Sequence, residues 1–272
     1  MKVRIEAIAV AGALCVLAGT AQAADGLLIV QKTTIGAGAP QMNQTQIDST
    51  RMRAESTGPT GGKQVVIFDG TKQVLTMIDP DTKTYTEMTK AEVDAMAAQI
   101  APAMAQMQEM LKSLPPEQRA KLEAAMKGRG TPGPGAAAPK TVYKKIGTDK
   151  VGKWTCDKYE GYKGDQKTSE LCTVDPKVLG FTASDLAVSG QMAAFFKSFM
   201  PQMADQGFKV GTVAEQGFSG VPVRQAFTIA GRQTVMEITD VTRQAFPDSV
   251  FQVPAGYQKT TFGGLGRGRR QD

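Results

Sequence analysis

Four methionines, Met96, Met104, Met107 and Met110, crowd the stretch MAAQIAPAMAQMQEML at residues 96–111. Thioether sulfur is soft and selects Cu(I), so one chemistry open to this run is copper binding. The same flexible side chains also fill irregular gaps in a core, or line a groove for apolar ligands of variable shape. Val93, Met96, Ile100, Met104, Met107 and Leu111 recur at intervals of three and four, the single stripe of an amphipathic helix. That spacing satisfies the packing readings without any metal. Copper handling therefore ranks below them, and neither a metal nor a cofactor is expected.

The chain contains no histidine. This removes the commonest general base, the usual transition-metal ligand and most arrangements that activate a nucleophile. Carboxylates and lysines are spread along turns and polar faces with no convergent pair. The sequence points to no catalytic residue, and an enzyme is not expected.

Cys15 sits in an apolar leader, which leaves Cys156 and Cys172. An even count in an exported chain points to a disulfide. A hairpin centred on Gly164 puts 156 and 172 eight residues to either side, directly opposite one another and within disulfide range. Closing a loop of about 15 residues stabilises by ~3 kcal/mol on the loop-entropy argument.

Residues 1–23 combine Lys2 and Arg4, the apolar run AIAVAGALCVLAG and the small-x-small ending Ala21-Gln22-Ala23. This is the pattern of a secretory signal peptide cleaved near Ala23, with Glu6 as an awkward charge beside the apolar run. Removing it takes away Lys2, Arg4 and Glu6, so a net charge of +6 falls to +5. That is too mild to imply nucleic-acid binding. A periplasmic or otherwise secreted location follows. The ending GGLGRGRRQD, within 261–272, reads as a disordered, solvated basic tail, which also allows peripheral contact with an anionic envelope membrane.

The elements that must position these residues alternate in period. Residues 26–88 read as short strands: GLLIVQKTT, then the extended segment MNQTQIDSTRMRAES, then KQVVIFDGTKQVLTMI folded at Asp69-Gly70, a turn pair suited to a tight hairpin. Asp79-Pro80-Asp81 makes the next turn. Thr89-Lys90-Ala91-Glu92 matches a helix capping box. It opens a helical insertion, 89–127, in which Pro102 is expected to kink or split the first helix and a second follows Pro115-Pro116. Residues 128–140 form a flexible Pro/Gly/Ala linker. After the cysteine hairpin a second insertion, 184–204, carries Val188, Met192, Phe195, Phe196, Phe199, Met200 and Met203 on one broad face. Strands then resume, with a bend at Gly231. Strands on both sides of each insertion indicate one sheet in one domain, 24–260.

GLLIVQKT, STRMRAES, the apolar hairpin, LTMIDPDTKTY and the closing FPDSVFQVPAGYQ resemble an uncharacterised family of secreted bacterial domains. That family is grouped with the outer-membrane lipoprotein carrier and acceptor proteins LolA and LolB. The resemblance implies an α+β fold, an incomplete antiparallel β-barrel whose helices cap an apolar cavity; it offers no catalytic residue. The physics agrees, since a half-open barrel needs its inner face covered and amphipathic helices are a natural cover. The expected function is binding of an apolar ligand, a lipid or lipoprotein acyl chain, under a lid. Its candidate residues are Met96, Ile100, Met104, Met107, Leu111, Met192, Phe195, Phe196, Phe199 and Met203. The alternative is an interaction module whose helices dock on a partner without a ligand cavity.

Overall fold

Two turns of like design set the first half of the sheet. The computed structural model describes residues 24–57, 61–115, 117–118, 141–197, 217–229 and 231–261. Strands β4 (Lys63–Asp69), β5 (Val74–Asp79) and β6 (Thr84–Thr89) are joined by four-residue turns. Each turn is headed by an aspartate: Asp69 accepts from the Lys72 N–H at 2.9 Å, and Asp79 from the N–H groups of Asp81 and Thr82 at 2.9 and 3.1 Å. Each ends on a residue with positive φ, Gln73 at 52° and Lys83 at 53°. The expected tight hairpin at Asp69-Gly70 is thus a longer turn, because the left-handed residue is Gln73. Gly70 instead marks a close approach. A Cβ there would lie 2.1 Å from the Gln191 side-chain oxygen and 3.1 Å from the Thr50 carbonyl.

The segment expected as one extended polar strand is two, β2 (Gln41–Ile47) and β3 (Arg51–Thr57). The buried Asp48 turns the chain between them. One of its oxygens accepts from the backbone N–H groups of Thr50 at 2.8 Å and Arg51 at 2.6 Å. With β1 (Ala24–Ile35), these strands form an antiparallel meander from β1 to β6. A second meander comprises β7 (Val142–Val151), β8 (Trp154–Lys163), β9 (Gln166–Val174), β10 (Val221–Ile229) and β11 (Arg232–Phe246). The two are joined where β1 pairs with β11. The result is a single unclosed sheet of twelve strands in the order β12-β6-β5-β4-β3-β2-β1-β11-β10-β9-β8-β7. The short β12 (Gln258–Lys259) runs parallel to β6, and every other pairing among the described residues is antiparallel.

The sheet is buried on both faces around β4 and β5. Leu27, Ile29, Phe68, Leu75 and Met88 point to one core, while Val65, Ile67 and Ile78 point to another with Phe246 and Phe251. This explains the unbroken apolar run VVIF in β4, since a strand covered on both faces need not alternate. The first face is covered by the start of α1 (Lys90–Ser113), through Val93 and Met96, and by α2 (Ala183–Lys197). A C-terminal strap, residues 247–260, covers the second.

Pro102 does not split α1, which runs unbroken past it. Proline withholds a hydrogen bond from the carbonyl four residues earlier, that of Ala98, and both positions are exposed, which leaves that carbonyl on the solvent side of the helix. The Cys156–Cys172 bond is present, with Cα atoms 5.4 Å apart and both residues buried. The two are not directly opposite, however: Cys172 faces Lys158. A two-residue turn pairs Lys163 with Gln166, and an irregularity between Gly161 and Tyr162 shifts the register once more, so the bond runs diagonally.

Residues 1–23, with the expected cleavage point, lie outside the described residues, as do linker 128–140, tail residues 262–272, and 119–127 and 198–204 of the helical insertions. Among the described residues no helix is long and apolar enough to cross a membrane.

Candidate ligand-binding surfaces

The helix-covered face is built by two capped junctions. Thr89 ends β6 and caps α1, with the Thr89 hydroxyl and backbone N–H exchanging hydrogen bonds with the backbone and carboxylate of Glu92. These donors hold the Glu92 carboxyl below its ordinary pKa of 4.5. The Lys90 N–H bonds the Gln73 carbonyl at 3.1 Å, tying the helix start to the β4–β5 turn. Val93 is consequently buried, and Met96 packs against the same core. Beyond Ala97, every α1 side chain described is exposed, Met110 at 59%. The side chains of Ile100, Met104, Met107 and Leu111 lie outside the description. At 1.5 Å per residue, Met96 stands about 21 Å along the helix from Met110, so the four methionines do not converge on one ion.

The start of α2 is held more firmly. The Thr182 N–H donates to Asp185 at 2.7 Å and the Asp185 N–H returns a bond to the Thr182 hydroxyl at 3.3 Å, a reciprocal cap. Asp185 is only 1% exposed. Its charge is met by Arg243 of β11, whose Nη2 donates to Asp185 at 2.6 Å and to the Gly180 carbonyl at 2.9 Å, while Nη1 reaches Asp25 at 3.0 Å. Downstream, Val188 and Phe195 are buried and Met192 packs beside them. Phe195 meets Phe68 edge-on with centroids 5.6 Å apart. The side chain of Phe196 and all of Phe199 and Met203 lie outside the description. The structure therefore brings Met96, Met192 and Phe195 to one core, and at these positions the space between helix and sheet is filled by side chains.

A second surface lies on the opposite face, where sequence reasoning placed nothing. An open groove of about 350 Å³ is lined by Met42, Arg53, Glu55, Lys63, Val65 and Ile78 from the sheet and by Pro254 and Tyr257 from the strap. Two arginines of β3 fasten that strap. Arg51 bridges the buried Asp48 and Asp248, at 2.7 and 2.8 Å, and lies over the Phe251 ring at 4.5 Å. Burial works against its charge, yet the hydrogen bonds to Asp48 and Asp248 outweigh it and raise its pKa. Arg53 donates to the Val250 carbonyl at 3.2 Å and to Glu55. At the strap's end, the Gln258 and Thr260 N–H groups bond the carbonyls of Lys83 and Tyr85. The motifs STRMR, DPDTKTY and FPDSVFQVPAGY are thus parts of one fastening. That convergence is the signal that could have found the groove.

A cavity of about 10 Å³, room for one water, lies beside the cystine among Asp149, Lys158, Glu170, Cys172 and Arg224. The buried Arg224 Nε has no hydrogen-bond partner there. Among the described residues no group of three or more His, Cys, Asp or Glu side chains could hold a metal ion.

Residues 121–257, half of the chain, match a family described as a domain of unknown function, DUF4412. The chain belongs to this family. The match takes in the second meander and most of the strap, and leaves β1 to β6 outside it. No curated protein matches the chain. Solved structures similar to it include an uncharacterized conserved protein from Thermus thermophilus, at 8% identity and a TM-score of 0.42, covering 88% of this chain and 91% of that one. Another is MucB in complex with MucA, at 12% identity and a TM-score of 0.34, covering 88% and 57%. A LolA superfamily protein from Nitrosomonas europaea is similar at 9% identity and a TM-score of 0.27, covering 86% and 91%.

Proposed function

We propose that this is an exported, non-catalytic binding protein of the cell envelope that takes an apolar ligand, a lipid or acyl chain, between its helices and its sheet. The observation that carries the reading is the seating of two separate helices on one face of an unclosed sheet. Met96, Met192 and Phe195 are brought to a common core by helices inserted between strand runs. Thioether and aromatic side chains adapt to chains of variable shape. A buried disulfide is in keeping with an oxidising compartment outside the cytoplasm.

Native mass spectrometry of protein purified from the periplasm tests this. A retained amphiphile, or uptake of a fluorescent fatty acid, is the expected outcome; repeated absence of both rejects the reading. One observation favours a second reading, an interaction module: the described part of the helix-covered face is already filled, with Phe195 against Phe68. A ligand-free protein that captures a partner through α1 would support it.

A further inference from the structure

From Thr33 to Ile47 the chain carries no charged residue, and the turn between β1 and β2, Gly36-Ala37-Gly38-Ala39-Pro40, lies within that run. Every residue from Ile35 to Pro40 is exposed, Ile35 at 46%, and no other part of the fold comes within 4 Å of where a Cβ on Gly36 would lie. Glycine and proline shape the turn, and it holds no Asn, Asp or Ser whose side chain could hydrogen-bond the backbone. Its backbone donors are nonetheless largely met. The Gly36 N–H donates to the Gln233 carbonyl at 2.7 Å, the Gly38 N–H donates to the Ile35 carbonyl at 3.0 Å, and Pro40 has no N–H. An apolar turn whose donors are already bonded loses little on leaving water.

The β1–β11 register sets a cation beside this turn. Ile35 pairs with Thr234 and Gly36 bonds Gln233, so Arg232 comes level with Ala37. Arg232 is exposed and has no ion pair among the described residues. On β1, β2, β10 and β11 the nearest carboxylate is Glu237, roughly 17 Å further along the sheet and paired with Lys32. The exposed apolar surface is small. Its two large side chains, Ile35 and Met42, lie on opposite faces of the hairpin, because Thr33 is the partner of Gln41. A stable protein–protein interface takes about 20–30 residues a side, far more than residues 35–42 supply, whereas shallow entry into a bilayer requires no matching surface.

We propose that this end of the sheet docks on a lipid bilayer carrying anionic headgroups. Ile35 and the turn 36–40 enter the boundary between headgroups and acyl chains, and Arg232 pairs with a lipid phosphate. Met42 sits about 10 Å further back along the hairpin, at the level of the headgroups. This docking goes beyond the ligand reading and does not depend on it.

Flotation of residues 24–272 with vesicles of equal parts phosphatidylcholine and phosphatidylglycerol tests the proposal. The double variant Ile35→Asp/Ala39→Asp and the single variant Arg232→Glu are each expected to weaken binding about tenfold. Val178→Asp is the control: it removes an apolar side chain 63% exposed, beyond the far end of β9, and is expected to leave binding unchanged. Circular dichroism confirms that the variants fold. Brominated acyl chains are expected to quench the Ala39→Trp variant more than the wild type, whose one tryptophan, Trp154, is buried. Absence of vesicle binding by the wild type overturns the proposal. So does undiminished binding by the turn variants, which a membrane-seeking C-terminal tail would give, or an equal loss in Val178→Asp. None of these results bears on amphiphile retained between helices and sheet, by which the ligand reading is judged.

Discussion

Replacing Arg243 by methionine removes the cation that anchors α2 while keeping a comparable apolar stem. Asp185 would then sit 1% exposed with no positive partner. Breaking a buried ion pair at one end typically costs about 3–5 kcal/mol. Two features reduce that here. The Arg243 side chain is 32% exposed, so water reaches the vacated space, and Asp185 keeps the Thr182 N–H and hydroxyl as donors. The expected loss is about 2–3 kcal/mol, read as a fall in the urea midpoint with unchanged slope. The double variant Arg243→Met/Asp185→Asn no longer buries an unpaired charge, and should recover about 1–2 kcal/mol of this. A loss under about 0.5 kcal/mol for the single variant, with no recovery in the double one, would refute the view that this pair fixes α2 to the sheet.

Other outcomes follow from the same contacts. Replacing Cys156 and Cys172 together by serine should cost ~3 kcal/mol by loop entropy, measured by urea unfolding, with thermal melting of the reduced wild type moving the same way. Glu92 carries a pH signature: its folded pKa is depressed, so its contribution is present above the unfolded value of 4.5 and lost as pH falls through the lower folded value. The stability difference between wild type and Glu92→Gln should therefore shrink between pH 6 and pH 3, and a difference independent of pH counts against the capping role. Phe195→Ala should destabilise by about 3–5 kcal/mol, since it empties a buried site against Phe68; a change below about 1 kcal/mol would show that α2 is not seated as described.

Much of the architecture could be read from period and punctuation. The capping box at Thr89 and Glu92, the strand run before it and the cysteine pair all register in short windows, because each depends on neighbours a few residues away. What escaped the sequence depended on distant chain. The Asp48 turn was hidden in a polar run, since nothing nearby in the sequence shows that its carboxylate is buried and shares Arg51 with the distant Asp248. The cystine was legible but its register was not, since a bulge at Gly161 leaves no trace in spacing. Val65 and Ile67 of β4 pack with Phe251 of the distant strap. Met96 was read on one apolar helical stripe and Met192 and Phe195 on another; that the two stripes share a core follows only once both helices rest on the same sheet.

The central claim is that an apolar ligand enters between helices and sheet. Photocrosslinking with a diazirine-bearing fatty acid, followed by peptide mapping, addresses it directly. The account predicts adducts in α1 and α2, competed away by unlabelled fatty acid. Adducts confined to the strap-side groove, around Met42 and Tyr257, or no competed adduct anywhere, would contradict it.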